Sequence, residues 1–180
     1  MGMDGLPAGV EEVLLTREAL ALRVAQLGKQ IGRDYEGRSL HLVGVLKGAV
    51  TFLADLARAL PLEDVTLDYL AFSSYGRSTD TSGVVRLVKD LDEEIADRHV
   101  LIIEDIVDTG LTLAYLREQL AGRGPGSLAV AAMLDKPGRR RVDVPVEYLG
   151  FEIPDRFVVG YGLDRAGQYR HLPYVAAVRP

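Results

Sequence analysis

The sequence predicts an α/β domain built on a mainly parallel, twisted sheet with helices on both faces. Short apolar runs alternate with segments of helical periodicity, the arrangement of strand–helix–strand units. The runs are apolar at successive positions, as strands covered on both sides are. With 180 residues, 48% hydrophobic and 26% charged, the chain suits one domain with a substantial core and lies outside the disordered and fibrous classes. No repeat, low-complexity tract or linker divides residues 1–180.

Thr16 is a candidate N-cap, and Leu20, Val24, Leu27 and Ile31 follow at helical spacing, with Arg17, Arg23 and Lys29 on other faces. Residues 40–46 read as a buried strand. Lys47-Gly48 then opens a second helical stretch that carries Phe52, Leu53, Leu56 and Leu60. Residues 65–72 and 84–88 are β-prone, and the polar connection at 73–83 is too long for a tight hairpin; a connection of that kind is an expected active-site lid. Residues 100–103 form a short strand running into Glu104-Asp105, and residues 113–120 a helix with Leu116 and Leu120 inward, ended by Gly122, Gly124, Pro125 and Gly126. Residues 128–134 read as another buried strand, followed by Asp135-Lys136-Pro137-Gly138 and three arginines. Residues 148–151, 157–159 and 175–178 are further short strands.

Composition excludes several functions. A net charge of −5 gives no general attraction to nucleic acid or anionic membrane, so an anionic substrate needs a local device. Without cysteine there is no disulfide, thiolate metal site or thiol nucleophile, which fits a reducing cytoplasm. Met1-Gly2-Met3-Asp4 shows no targeting signal, and the longest apolar stretch, 40–60, is interrupted by Lys47, Asp55 and Arg58. His41, His99 and His171 have no metal-binding spacing.

The most informative segment is Ile102-Ile103-Glu104-Asp105-Ile106-Val107-Asp108-Thr109-Gly110-Leu111-Thr112-Leu113. A strand ends in a hydroxyl-rich loop and a helix starts at once, which aims unpaired N–H groups and the positive helix end at one point and suits a phosphate. Thr109 and Thr112 add hydroxyl donors, and Gly110 lets main chain approach the anion. Three carboxylates beside an anion site make sense if they serve sugar hydroxyls, a divalent cation or a proton to be moved; a phosphorylated sugar presents all of these. Taken singly, Asp108 and Thr109 read equally well as helix caps and Glu104-Asp105 as solvated strand-end residues. Asp108-Thr109-Gly110 also matches the aspartic protease tripeptide, but residues 112–118 are helix formers where that fold needs a strand.

Glu104-Asp105-Ile106-Val107-Asp108-Thr109-Gly110-Leu111-Thr112 resembles the phosphoribosyl pyrophosphate signature of the type I phosphoribosyltransferases, in the version of their 6-oxopurine branch. Leu46-Lys47-Gly48, Ser74-Tyr75, Lys136 and the run from Gly150 through Phe157 to Asp164 extend the resemblance, in family order, over residues 10–180. It implies the type I fold with a small hood formed by the terminal segments. The implied reaction is Mg²⁺-dependent transfer of 5-phosphoribosyl from phosphoribosyl pyrophosphate to N9 of a 6-oxopurine such as hypoxanthine or guanine. Cytoplasmic purine salvage by a homo-oligomer, a dimer or tetramer, is implied as well.

Residue by residue, the resemblance places Glu104 and Asp105 at the ribose hydroxyls and the metal, and Asp108 through Thr112, with Leu111 only through its backbone N–H, at the 5-phosphate. Asp108 is the implied catalytic acid–base group near purine N7. Lys136 is implied to donate to the purine O6, Phe157 to stack on the base, and the Val158 backbone to read its edge. Asp164 is implied near the 2-position and a second metal, and Lys47, Gly48 and Arg170 at pyrophosphate, with a Leu46-Lys47 peptide that is cis in some members. Ser74 and Tyr75 belong to the implied mobile loop at 73–83. By themselves Phe157 would read as core, Lys136 as a solvated lysine, and Arg139-Arg140-Arg141 as a solvated or subunit-interface cluster. Xanthine or a pyrimidine as substrate, or a nucleotide-sensing regulator that binds nucleic acid, are alternatives; Lys136 with Phe157 favours a 6-oxopurine, and the acidic charge disfavours the regulator.

Overall fold

The structure, a computed structural model, describes residues 6–74 and 85–179. The elements in chain order are β1 (Val10–Leu15), α1 (Arg17–Asp34), β2 (Leu40–Leu46), α2 (Val50–Ala59), β3 (Val65–Ser74) and β4 (Val85–Lys89). They continue with β5 (His99–Val107), α3 (Leu111–Ala121), β6 (Ser127–Asp135), β7 (Tyr148–Glu152), β8 (Val158–Val159) and β9 (Val175–Val178). The main sheet has the order β4-β3-β2-β5-β6-β7; β2, β3, β5, β6 and β7 are parallel, and β4 is an antiparallel edge strand beside β3. A second sheet, β1-β9-β8, is antiparallel and joins the two ends of the chain into the hood that the resemblance implied. The strand β1 has no counterpart in the sequence reading. Its Val10-Glu11-Glu12-Val13 lacks a regular alternation, and its pairing partner lies at Val175–Val178.

The buried positions explain the layers. Leu40, Leu42, Leu101, Ile103, Ala129 and Ala131 pack in one cluster with Leu20, Val24, Leu27 and Ile31 of α1 and Phe52, Leu53 and Leu56 of α2. The intervening Val43, Val100, Ile102, Val130 and Ala132 pack on the other face with Leu113, Leu116 and Leu120 of α3. A strand buried on both faces has apolar residues at every position, the signal by which the parallel sheet was legible. Thr16 caps α1 as expected, its hydroxyl accepting from the Ala19 N–H at 3.2 Å. His41 and His99 hydrogen-bond across neighbouring strands, Nδ1 to Thr66 Oγ1 at 2.7 Å and to Ser127 Oγ at 2.8 Å.

One strand differs from the sequence reading in a way that matters. β5 runs to Val107, paired with Asp135 of β6, instead of stopping before Glu104. Glu104 and Asp105 are therefore strand residues inside the sheet and not solvated ends; parallel pairing with β6 continues through Glu104↔Ala132 and overrides the local polarity. The expected loop at 73–83 lies, from Tyr75 onward, outside the described residues, as does the side chain of Ser74. No helix of the described residues is long and apolar enough to cross a membrane.

Leu101 is fully buried and Leu22, on α1, is 63% exposed. Leu101→Ala is expected to cost about 3 kcal/mol of unfolding free energy, while Leu22→Ala stays within about 0.5 kcal/mol. Urea unfolding of the two variants checks this, and similar losses would contradict the layer assignment.

Candidate active site

In a parallel sheet the carboxyl ends of the strands share one edge, and ligands bind where the chain order reverses. Here the reversal lies between β2 and β5, whose neighbours on the outer sides are β3 and β6. The loops after β2, β5 and β6 all open at this edge, and the hood stands against it. Most of the residues singled out from the sequence arrive there for this reason.

After β5 the chain turns through Asp108, Thr109 and Gly110. Gly110 has φ of +82°, a conformation that side-chain-bearing residues disfavour, and it starts α3 with no side-chain cap. Neither Asp108 nor Thr109 is the N-cap, so the capping interpretation of these residues fails. Among the described residues the N–H groups of Thr109, Gly110, Thr112 and Leu113 have no backbone acceptor; Leu111 reaches only the Thr109 hydroxyl, at 3.4 Å. The Thr109 carbonyl instead accepts from the N–H groups of Arg141 and Val142, at 2.9 and 3.2 Å, which fixes the loop from behind. The result is a bend whose donors face outward at the positive end of a helix, a fit for a phosphate monoester.

Burial raises both carboxyls next to it. Glu104 is buried, its Oε2 has no hydrogen-bond partner, and desolvation followed by the neighbouring Asp105 holds its carboxyl well above the usual range. Burial also pushes Asp105 up, to about 6, against the pull of its own backbone contacts and of Arg170. Asp105 Oδ1 accepts from the Ile106 N–H at 2.8 Å. Asp105 Oδ2 lies against Gly48, where an added Cβ would sit 1.5 Å from it. The loop after β2 can lie this close only because residue 48 has no side chain. The peptide Leu46-Lys47 that leads into it is cis, and Lys47 is exposed.

Asp164 and Arg170 come from the hood. Their ion pair measures 2.5 Å, Asp164 Oδ2 also accepts from the Gly167 N–H at 2.6 Å, and Arg170 donates to the Gly162 carbonyl at 2.6 Å. After β6, Lys136 is buried and its N–H donates to the Val107 carbonyl at 3.0 Å, which ties this loop to the end of β5. Among the described residues its ammonium makes no ion pair, so a solvated surface lysine is not what the structure contains. Phe157 is 48% exposed while the following Val158 is buried. Phe157 is therefore not the core residue it would be taken for by itself: β8 turns Val158, not Phe157, into the core cluster that α1 and α2 share.

Arg139 and Arg140 were missed as site residues. Arg139 Nε contacts Asp108 Oδ1 at 2.6 Å and its Nη1 lies 3.5 Å from Asp155. Arg140 donates to the Asp108 carbonyl at 3.3 Å and lies 2.9 Å from Asp135 Oδ1, an ion pair without hydrogen-bond alignment. The only signal in the sequence was a cationic run within a few residues of Lys136, opposite a chain segment rich in acid.

The donor set suits a hard divalent cation that shares its shell with substrate and water. Glu104, Asp105 and Asp164 offer carboxylate oxygen, one of them orphaned, and among the described residues no cation faces Glu104. Among the described residues no three acidic or histidine side chains are close enough to hold a metal unaided.

Comparison with known proteins agrees with this geometry. Residues 11–166 match the phosphoribosyl transferase domain family. The chain is 49% identical over 180 residues to the hypoxanthine-guanine phosphoribosyltransferase of Mycobacterium tuberculosis, covering 97% of this chain and 89% of that protein. It is 50% identical over 169 residues to the hypoxanthine phosphoribosyltransferase of Salmonella typhimurium, with 93% and 94% covered. The crystal structure of a hypoxanthine-guanine phosphoribosyltransferase from Bacillus anthracis superposes with a TM-score of 0.90 at 45% identity, covering 94% of this chain and 99% of that one.

The raised carboxyl of Asp105 fixes the sign of a pH effect. Because its folded value, about 6, exceeds the unfolded value near 3.8, the folded chain holds a proton that the unfolded chain has released. Its stability contribution is present below about pH 4 and lost as the pH rises to about 6. In the absence of divalent cation, Asp105→Asn is expected to melt about 2–4 °C above the unaltered protein at pH 7 and level with it at pH 4. A difference that does not change with pH would refute the raised carboxyl of Asp105.

Proposed function

The chain belongs to the phosphoribosyltransferase family, and from that premise we propose a purine-salvage enzyme that moves 5-phosphoribosyl from phosphoribosyl pyrophosphate to N9 of hypoxanthine or guanine. The observation that carries the reading is the set of N–H groups of Thr109, Gly110, Thr112 and Leu113, without a backbone acceptor among the described residues, beside the buried, unpartnered Glu104 and the raised carboxyl of Asp105. One ligand that brings a phosphate monoester and a vicinal diol answers both.

In this reading the 5-phosphate sits on the N–H groups of residues 109–113 with the hydroxyls of Thr109 and Thr112, and Leu111 contributes backbone alone. Glu104 and Asp105 accept from the ribose hydroxyls. Lys47, the Gly48 main chain and Arg170 hold the pyrophosphate, and Phe157 stacks on the purine while the Val158 backbone reads its edge. Lys136, buried with its ammonium unpaired, donates to the purine O6. A 6-amino base would meet that ammonium with another donor, which is why adenine is disfavoured.

Reaction breaks the bond between C1 of the ribose and pyrophosphate, whose oxygen leaves with the electron pair, and forms the bond from C1 to N9. The sugar carries positive charge at the transition state, and the purine sheds a proton, which Asp108 at N7 is placed to hold. Arg139 keeps the Asp108 carboxylate at the mouth of the loop until the base arrives. Glu104, Asp105 and Asp164 are the residues that would hold Mg²⁺, which when bound supplies charge neutralisation at the pyrophosphate. We place the reaction in the cytoplasm, in a homo-oligomer, a dimer or tetramer.

With phosphoribosyl pyrophosphate and Mg²⁺, the purified chain is expected to convert hypoxanthine and guanine to IMP and GMP, with kcat/KM for adenine lower by about 10³-fold or more. Lys136→Ala narrows that ratio. Asp108→Asn lowers kcat by about 10²-fold or more, and an unchanged rate would remove Asp108 from the acid–base role.

A further inference from the structure

Tyr161 sits at the joint between the hood and the α/β body. Its φ is +50°, a left-handed conformation that tyrosine disfavours, and it stands between Gly160 and Gly162 at +92° and +100°. Hydrogen bonds over-determine this turn. The Tyr161 N–H donates to the Leu172 carbonyl at 2.8 Å, the Gly162 N–H to the Arg170 carbonyl at 3.0 Å, and Gly160 and Leu163 exchange two bonds of 3.0 Å. The side chain is buried, and its hydroxyl donates to Asp55 Oδ2 of α2 at 2.8 Å, across 106 residues of sequence. Burial and Asp55 raise the phenol above its ordinary range, which keeps it the donor.

The consequence of this tie lies next to it. An added Cβ on Gly162 would stand 2.0 Å from the Gly48 carbonyl oxygen and 3.4 Å from Thr51 Oγ1, and one on Gly48 would meet Asp105 Oδ2. Gly162 thus packs directly on the Gly48 main chain, and Gly48 in turn on the Asp105 carboxylate, with no other side chain between them. One edge of this packing carries Lys47, and the other carries Arg170 through its bond to the Gly162 carbonyl. The strap from Tyr161 to Asp55 closes beside it, one turn of α2 beyond Thr51.

We propose that Tyr161 is a positioning residue for the pyrophosphate end of the site: its hydrogen bond to Asp55 clamps the hood onto α2 and so sets Gly48, Lys47 and Arg170 in register with Asp105. It touches no substrate. The proposal rests on the phosphoribosyl-transfer reading and assigns to that site a residue outside its ligand shell. Lys136, which that reading sets at the base, lies on the loop after β6 and is tied to the end of β5, apart from the strap.

Steady-state kinetics with each substrate varied separately test the assignment. Tyr161→Phe keeps the ring and removes the bond; KM for phosphoribosyl pyrophosphate is expected to rise about 5- to 10-fold, with KM for hypoxanthine and kcat within about 2-fold. Asp55→Ala, on the other side of the bond, reproduces the shift and serves if Tyr161→Phe does not fold. Asp55→Asn, whose amide oxygen can still accept from the phenol, stays near the unaltered value. Equal shifts in the two KM values, no shift, or Asp55→Asn behaving like Asp55→Ala would overturn the strap while the unaltered enzyme remains active. Absence of turnover in the unaltered chain would overturn the transfer reading first and the strap with it.

Discussion

Placing two carboxylates side by side inside a parallel sheet costs free energy that Arg170 offsets only in part, at Asp105, and the rest of the site is arranged around that cost. Glu104 and Asp105 could have been solvated had β5 ended where its apolar run ends; pairing with β6 carries the strand past them instead. Desolvation then raises both carboxyls, Asp105 adds to the rise at Glu104, and at Asp105 the main chain and Arg170 oppose it without cancelling it. A ligand with hydroxyl groups, or a divalent cation, would return what burial has removed, which is why the proposed function sets the pentose at this spot. A low-stability site of this kind is the usual companion of function.

The loop at 108–112 solves a different problem with the same strand. Three acids in five residues repel an anion, so the phosphate of the proposed reaction calls for donors other than those side chains. Main-chain N–H groups at a helix start are such donors, and Gly110 in its left-handed conformation lets them converge. Arg139 and Arg140 from the neighbouring loop draw the acidic character of Asp108 and Asp135 away from that bend. The ion pair at Asp108 is half-exposed, so solvent screens it and a substrate can displace it at small cost.

Much of this was legible in the sequence because its cause is local. The period of Leu20, Val24, Leu27 and Ile31 fixes a helix face, and the unbroken apolar runs 40–46 and 128–134 fix strands covered on both sides. The segment from Glu104 to Thr112 announces a strand, a bend and a helix with acids beside an anion site. Other features were not legible for equally physical reasons. The hood strand β1 owes its conformation to β9, so its own residues carry little signal. Phe157 looks like core and stands in the open, because which of Phe157 and Val158 points inward depends on the register of β8 against β9.

By itself, then, the sequence determined the fold class, most of the strands and helices, and the strand–bend–helix segment from Glu104 to Thr112, since each depends on spacing within a dozen residues. Only the tertiary structure decided which charges meet and which are left alone. Arg139 finds Asp108 across 31 positions and Tyr161 finds Asp55 across 106, while Glu104 finds no partner among the described residues. Burial and Coulomb interactions act through space, and the path of the chain sets those distances only after the sheet has formed.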